Sequence, residues 1–318
     1  MHRILIAFQR SRPDSDAPAG KTVILAGLAQ YLAAEGRAVW ACRLSSGKTD
    51  EASADEDANL LLSLPGVQTP GHALTLKQLD QEITKAETDS CLIEHSSAPS
   101  IQEAADALGA KVVLAMRNPL AGAFAGVQAT AQSLGEKLIG VVANLVPEKN
   151  LHPTADVLAR EGLACLAILP EDRTLASPTL EQVIADLQAK VLLGNGNAQE
   201  PVEFPVIGPI SADAGRPHFY RWSDKTVVTR SDRTDLQLAA LDTGLSQLIL
   251  TGGVEPSPYL LDRASRQKMT VLLVAEETPV VMQRLERLYE GARFTGRRKI
   301  ERAGELMRER LRREILPL

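Results

Sequence analysis

The sequence is poor in aromatic residues: Phe, Trp and Tyr make up 3% of 318 residues. Base stacking depends on such rings, so the shortage argues against a single-stranded nucleic-acid platform. Positive charge is not in excess either. The formal net charge is −5, with 24% charged residues, so neither nucleic acid nor an anionic membrane should attract the chain in bulk. No apolar run reaches the length of a transmembrane helix. The N-terminal MHRILIAFQRSR has too short an apolar core for a signal peptide, and a folded strand explains it better. Cysteines are few and isolated. Cys42, Cys91 and Cys165 each sit in or beside an apolar run, a pattern that fits free, buried thiols in a reducing cytoplasm, the expected location. The histidines, His2, His72, His95, His152 and His218, show no metal-ligand spacing.

Glycine is missing from Gln9 to Ala19, and this absence matters because of what surrounds it. Arg3 to Phe8 reads as a short buried strand and Val23 to Leu32 as an apolar helix, with Gly20-Lys21-Thr22 at the junction. Strand, turn, Gly-Lys-Thr and helix form the context of a phosphate-binding loop. Backbone N–H groups at the helix start hold phosphate oxygens, the lysine neutralises them and the threonine hydroxyl meets Mg²⁺. The full motif has a further glycine where Ser15 stands, and Pro13, Asp14, Asp16 and Pro18 fill the loop. Two carboxylates there oppose a triphosphate. The segment therefore reads either as a degenerate nucleotide loop or as a plain helix start.

Through the first two thirds of the chain, apolar runs alternate with helical patterns. Residues 3–8, 38–44, 90–95, 111–116, 138–145 and 164–169 read as strands, with helices over 22–35, 100–108 and 120–134. Near-continuous apolar strands separated by helices predict a parallel sheet covered on both faces. Leu193 to Gln199 is small and polar and reads as a linker. Beyond it, strands are expected at 202–210, 225–230, 247–252 and 270–275, and helices at 232–243, 257–267 and 279–290. The tail from Arg297 to Arg313 reads as an amphipathic helix with Leu306 and Leu311 on its apolar side, suited to dimer packing. These patterns predict two domains, at 1–193 and 202–318, joined by residues 194–201.

Several segments together resemble a known pairing, a dethiobiotin-synthetase-like P-loop domain followed by a DRTGG domain, as in the N-terminal part of long phosphate acetyltransferases. The matching pieces are GKTVILAGLAQYLAAEGRAV (20–39), DEDA (55–58), LIGVVANLVP (138–147), ILPEDRTLASPT (168–179), TRSDRTDLQLAAL (229–241) and LILTGGVEPS (248–257), in the expected order. The fold class implied is α/β: a parallel-sheet P-loop NTPase-like domain, then a smaller α/β DRTGG domain.

The resemblance implies a site. Gly20, Lys21, Thr22, Asn144, Pro170 and Glu171 would bind a nucleotide, with Asn144 reading adenine and Pro170 and Glu171 flanking the base. Thr22, Asp55 or Asp57, and Glu94 would hold Mg²⁺, making ATP or another nucleotide with Mg²⁺ the implied cofactor. Read from the residues alone, Asn144 fits a turn, Glu94 a strand-end acid and the DEDA run an acidic helix start. In the second domain, Asp232, Arg233, Thr234 and Asp235 precede a helix, with Asp232 as N-cap and Asp235 completing a capping-box-like start. Thr251, Gly252 and Gly253 end a strand, where glycines either turn the chain tightly or present N–H groups to a crevice.

Two departures oppose dethiobiotin synthesis. Arg43 replaces the lysine that follows the second strand in the resembled enzymes, and a fixed, planar cation is no equivalent at a reacting centre. His95-Ser96-Ser97-Ala98-Pro99 replaces a glycine-rich segment that lets backbone approach substrate. The acetyltransferase portion is expected to be absent. The expected function is a ligand- or nucleotide-binding regulatory protein, homodimeric, with a small-molecule or nucleotide ligand and a metabolic-enzyme partner. The alternatives are an ATP-dependent carboxylate-activating enzyme and a scaffold that binds no nucleotide.

Overall fold

The structure, a computed structural model, describes residues 1–8, 20–45, 59–96, 98–121, 124–194, 197–203, 205–208, 220 and 225–316. Ser15 with its flanking acids and prolines, and also Asp55 and Asp57, lie outside the described residues.

The chain divides into two compact units, Met1–Asp172 with Ile300–Leu318, and Arg173–Lys299. The first unit is built on β1 (His2–Phe8), β2 (Val39–Arg43), β3 (Val67–Gln68), β4 (Ser90–Glu94), β5 (Lys111–Arg117), β6 (Leu138–Val146) and β7 (Cys165–Pro170). They form one sheet in the order β3-β2-β4-β1-β5-β6-β7, with every pairing parallel. Helices α1 (Lys21–Ala34), α2 (Leu76–Lys85), α3 (Ile101–Leu108), α4 (Ala125–Leu134) and α5 (Leu151–Arg160) supply the crossovers. Alternation along the strands sends Leu5, Ala7, Cys42, Ile93, Leu114 and Ala143 into one core, against Leu79, Ile83, Ala104 and Leu158 of the helices. All three thiols are free and buried. Burial pushes the Cys42 thiol well above its usual range and Cys91 to about 12, so neither is a nucleophile near neutral pH.

The second unit holds α6 (Leu180–Leu187), β8 (Lys190–Leu193), β9 (Pro205–Ile207), β10 (Lys225–Arg230), α7 (Thr234–Leu241), β11 (Leu245–Thr251), α8 (Pro258–Arg266), β12 (Thr270–Leu273) and α9 (Thr278–Glu290). Its sheet runs β8-β12-β11-β10-β9, parallel except for β8, which pairs antiparallel with β12. Period-two alternation splits the strands between two faces. Val227, Leu248 and Val271 pack with Leu241, Leu260 and Ala264. Val228, Ile249 and Leu272 pack with Leu180, Val183, Leu187 and Leu285.

These units differ from the boundaries that composition predicts. Residues 180–193 supply a helix and an edge strand to the second core, so the second unit begins before the polar stretch that composition reads as a linker. The C-terminal helix, α10 (Arg297–Arg310), runs into the first unit from Ile300. There Gly27 of α1 packs so closely on α10 that an added Cβ would lie 2.8 Å from the Ala303 carbonyl oxygen. Arg302 reaches Asp172 at 2.8 Å, and the Arg312 N–H bonds the Leu166 carbonyl of β7 at 2.8 Å. Leu306 is buried within this chain, so it is not the free dimer-packing position that its helical spacing suggested. Among the described residues, no helix is long and apolar enough to cross a membrane.

Candidate functional site

Because the first sheet is parallel, the C-terminal ends of its strands share one edge, where open α/β sheets bind ligands. The sequence-predicted residues gather there. Gly20 precedes α1 in the left-handed region, at φ 69°, a conformation that favours glycine. Its Cα face is also closed, since an added Cβ would collide with the Asn144 amide nitrogen. Asn144 lies near the end of β6, 3% exposed, and its Oδ1 accepts the Leu145 N–H at 2.9 Å. Its own carbonyl accepts the N–H of Asn118, the residue that follows β5, at 2.8 Å. Sequence and topology thus bring the Gly-Lys-Thr turn and Asn144 together.

No side chain caps α1, and no acidic residue stands in its first turn. By contrast, α2, α3 and α6 each begin with a capping box, at Thr75, Ser100 and Thr179. Lys21 follows Gly20 at the open start, and its Nζ donates to the His95 carbonyl oxygen. Thr22 is the next residue of that first turn, half-buried.

Glu94 ends β4, only 2% exposed, in register with Ile6 of β1 and Arg43 of β2. His95 follows it, 5% exposed, with its Nε2 2.8 Å from the Pro99 carbonyl oxygen. Burial holds the imidazole pKa below its usual range against that hydrogen bond, and the Lys21 ammonium pushes the same way as burial. The segment from His95 to Pro99 therefore places a buried ring where the resembled enzymes have glycine. Pro170 ends β7 opposite Val146 of β6, and the Glu171 N–H bonds the Val146 carbonyl at 3.0 Å. Pro170 and Glu171 thus stand beside the end of the strand that carries Asn144.

One residue at this edge was not singled out from sequence. Asn118 sits at φ 31°, and its Oδ1 is buried without a hydrogen-bond partner. The signal available was modest: a polar residue between a strand and a proline, Arg117-Asn118-Pro119. Among the described residues, no group of three metal-ligating His, Cys, Asp or Glu side chains occurs. Mg²⁺ beside a nucleotide takes much of its coordination from phosphate and water, so the oxygen donors Thr22 and Glu94 fit that metal as a protein contribution.

In the second unit, the structure revises two sequence readings. Helix α7 begins at Thr234 with Arg233 as N-cap and no side-chain cap. Neither Asp232 nor Asp235 is its N-cap. Instead Arg230 grips Asp232 at 2.7 Å and Arg233 grips Asp235 at 2.9 Å, each through two hydrogen bonds. These bonds hold both carboxyl pKa values below the usual range. Gly252 and Gly253 have positive φ, and their N–H groups go to the Glu276 carbonyl at 2.9 Å and the Val274 carbonyl at 3.0 Å. The glycines therefore bend the chain at the end of β11 and tie it to the segment after β12, and the N–H groups expected to face a crevice are occupied. The Thr251 hydroxyl meets that of Thr278 at 2.7 Å.

Comparison with known proteins matches residues 182–288 to the DRTGG domain. The phosphate acetyltransferase of Nitratidesulfovibrio vulgaris is 28% identical over 199 residues, which cover 57% of this chain. The chain spans 28% of the length of that relative. The solved CBS and DRTGG domains of the regulatory region of Clostridium perfringens pyrophosphatase, complexed with the activator diadenosine tetraphosphate, align at TM-score 0.32 with 16% identity, over 50% of this chain and 68% of that one. Cobyrinic acid a,c-diamide synthase from Mycobacterium smegmatis, solved with bound ADP and magnesium, aligns at TM-score 0.36 with 19% identity, over 54% and 88%. The chain thus carries a DRTGG domain behind an N-terminal domain built on a seven-stranded parallel sheet, and is related to part of phosphate acetyltransferase.

Proposed function

We propose that this is a ligand-binding regulatory protein whose first unit takes an adenine nucleotide, with Mg²⁺, at the C-terminal edge of its sheet. The observation that carries the reading is the start of α1. A left-handed glycine opens a 14-residue helix that has no side-chain cap and no acid in its first turn, with Lys21 beside it. Such a helix start attracts anions through its oriented N–H groups and its dipole, and a lysine adds a full charge. Thr22 and Glu94 would hold the metal, which would offset phosphate charge. Pro170 and Glu171 would border the base.

A regulatory role is favoured over carboxylate activation by the residues around the phosphate position. Arg43 stands where a mobile lysine is needed, and the His95 ring fills space between β4 and Pro99. In the second unit, Arg230 and Arg233 are already neutralised by Asp232 and Asp235. That unit is accordingly assigned to contacts with a second copy or with a metabolic enzyme, rather than to an anion pocket. Melting the protein over a series of MgATP, MgADP and NADH concentrations tests the reading, because a ligand bound only by the folded state raises the midpoint in step with its concentration. A rise with the adenine nucleotides and no turnover of diaminopelargonate, CO₂ and ATP supports it. Turnover that depends on Lys21 would replace it with the enzymatic reading.

A further inference from the structure

The chain passes between its two units twice, after Asp172 and after Lys299. The second unit is therefore an insert between β7 and the body of α10. Both passages meet the first unit at one place, because Arg302, just beyond the second, bonds Asp172, the last residue before the first, at 2.8 Å. Helix α10 itself contains the second passage. At its start, Lys299 is fully buried, and its Nζ donates to the Arg293 carbonyl at 2.6 Å. Nearby, Gly296 lies so close to Gln199 that an added Cβ would sit 2.5 Å from the Gln199 carbonyl oxygen. Those residues all belong to the second unit. From Ile300 onward the helix belongs to the first unit, where Ile300, Ala303, Leu306 and Met307 are buried. There Ala303 packs on Gly27, and a Cβ added at Gly304 would lie 3.0 Å from the Gln30 Cβ. Gly27 and Gln30 are both in α1. An isolated helix of 14 residues is marginal in water, so α10 depends on these contacts to stay helical.

We infer that the second unit controls the first through α10: as a folded insert it delivers this helix to α1, and when the insert opens, the first unit loses its hold on α10. With the second unit folded, Asp172 and Ile300 are kept together before α10 docks. With it unfolded, the same docking must close a long flexible loop, at a cost in chain entropy. A partner or ligand that binds only the folded second unit then favours the docking of α10 on α1, the helix that starts at Lys21. Coupling of this kind requires no nucleotide in either unit.

The test reads the two units separately in the full chain. Trp40 of β2, 6% exposed, reports the first unit in a Trp222→Phe background, which removes the second of the two tryptophans in the sequence. Hydrogen exchange of β11 (Leu245–Thr251) reports the second unit. Ile249→Val removes a methylene from the second core, and Ile249→Ala takes its place if β11 protection does not change. The core variant should lower β11 protection and, with it, the urea midpoint of the Trp40 signal. Gly304→Leu drives α10 away from Gln30. It should lower the Trp40 midpoint by itself and abolish the response of that midpoint to the core variant, while β11 still responds. Met307→Ala loosens the same face of α10 and replaces Gly304→Leu if that variant does not fold. A Trp40 midpoint that stays put while β11 loses protection overturns the inference. A response that survives in the α10 variants also overturns it, because the coupling would then bypass α10.

Discussion

The ammonium of Lys21 donates to the main-chain carbonyl of His95, so the start of helix α1 is tied directly to the end of β4. The side chain of His95 is held in turn on the Pro99 carbonyl at 2.8 Å. A buried imidazole beside a lysine should stay neutral, and its pKa lies below the ordinary value of 6.5. In acid the unfolded chain binds this proton more readily than the folded one, so stability falls as pH drops below 6.5 and is recovered above it. Urea titrations of the parent and of His95→Gln between pH 7.5 and pH 5 check this. The variant should show a shallower loss on acidification. Identical pH profiles would mean that His95 does not contribute.

Gly20 is constrained twice, by its left-handed φ of 69° and by the Asn144 amide above its Cα. Gly20→Ala should therefore destabilise the protein by about 1–3 kcal/mol. In the double variant with Asn144→Ala, part of the loss should be recovered because the collision is removed while the backbone strain remains. Equilibrium denaturation of the two variants measures this, and strict additivity would show that the residues do not touch in solution.

Arg302 of α10 bonds Asp172 at 2.8 Å, where the aspartate is 10% exposed. Removing the arginine takes a charge-assisted hydrogen bond from a largely buried carboxylate, and Arg302→Ala should cost about 1–3 kcal/mol. Asp172→Asn/Arg302→Ala should cost less than Arg302→Ala alone. Urea midpoints at constant m-value provide the comparison.

Residues 180–193 complete the second core, so a fragment spanning 173–299 should fold while one spanning 202–318 should not. The shorter start omits Leu180, Val183 and Leu187, which pack on Val228, Ile249 and Leu272. It also carries α10 away from Gly27, on which Ala303 packs. Circular dichroism and cooperative melting of both fragments decide the matter. A well-folded 202–318 fragment would restore the boundary read from composition.

Much of this architecture was legible in the chain because strong strands announce themselves. RILIAF, SCLIEH and KVVLAM each appear within a residue or two of their predicted ends. The short strands were not legible. Val67–Gln68 and Lys190–Leu193 owe their extended shape to neighbours in the sheet and not to their own pattern. The domain boundary failed for a related reason, since a polar, glycine-containing loop looks the same inside a domain as between two. At the site, Gly20, Lys21 and Asn144 were found because motif and resemblance point to them. Asn118 was missed because its distinction, an unpaired buried oxygen on a left-handed backbone, exists only after folding. In the second domain, the Asp-Arg-Thr-Asp segment looked like a capping box because its spacing is right. Each aspartate, however, has an arginine two residues before it, and the stronger bidentate pair wins.

The most direct test of the nucleotide reading is a calorimetric titration of MgATP into the parent protein and into Lys21→Ala. The side chain of Lys21 is only half-buried, so the variant should fold and melt near the parent. The account predicts saturable binding to the parent and a loss of more than about tenfold in the variant, because the lysine supplies the charge-assisted contact to phosphate. Equal affinity in the two proteins, or no binding to either, would contradict it and leave Gly20-Lys21-Thr22 as nothing more than the start of a helix.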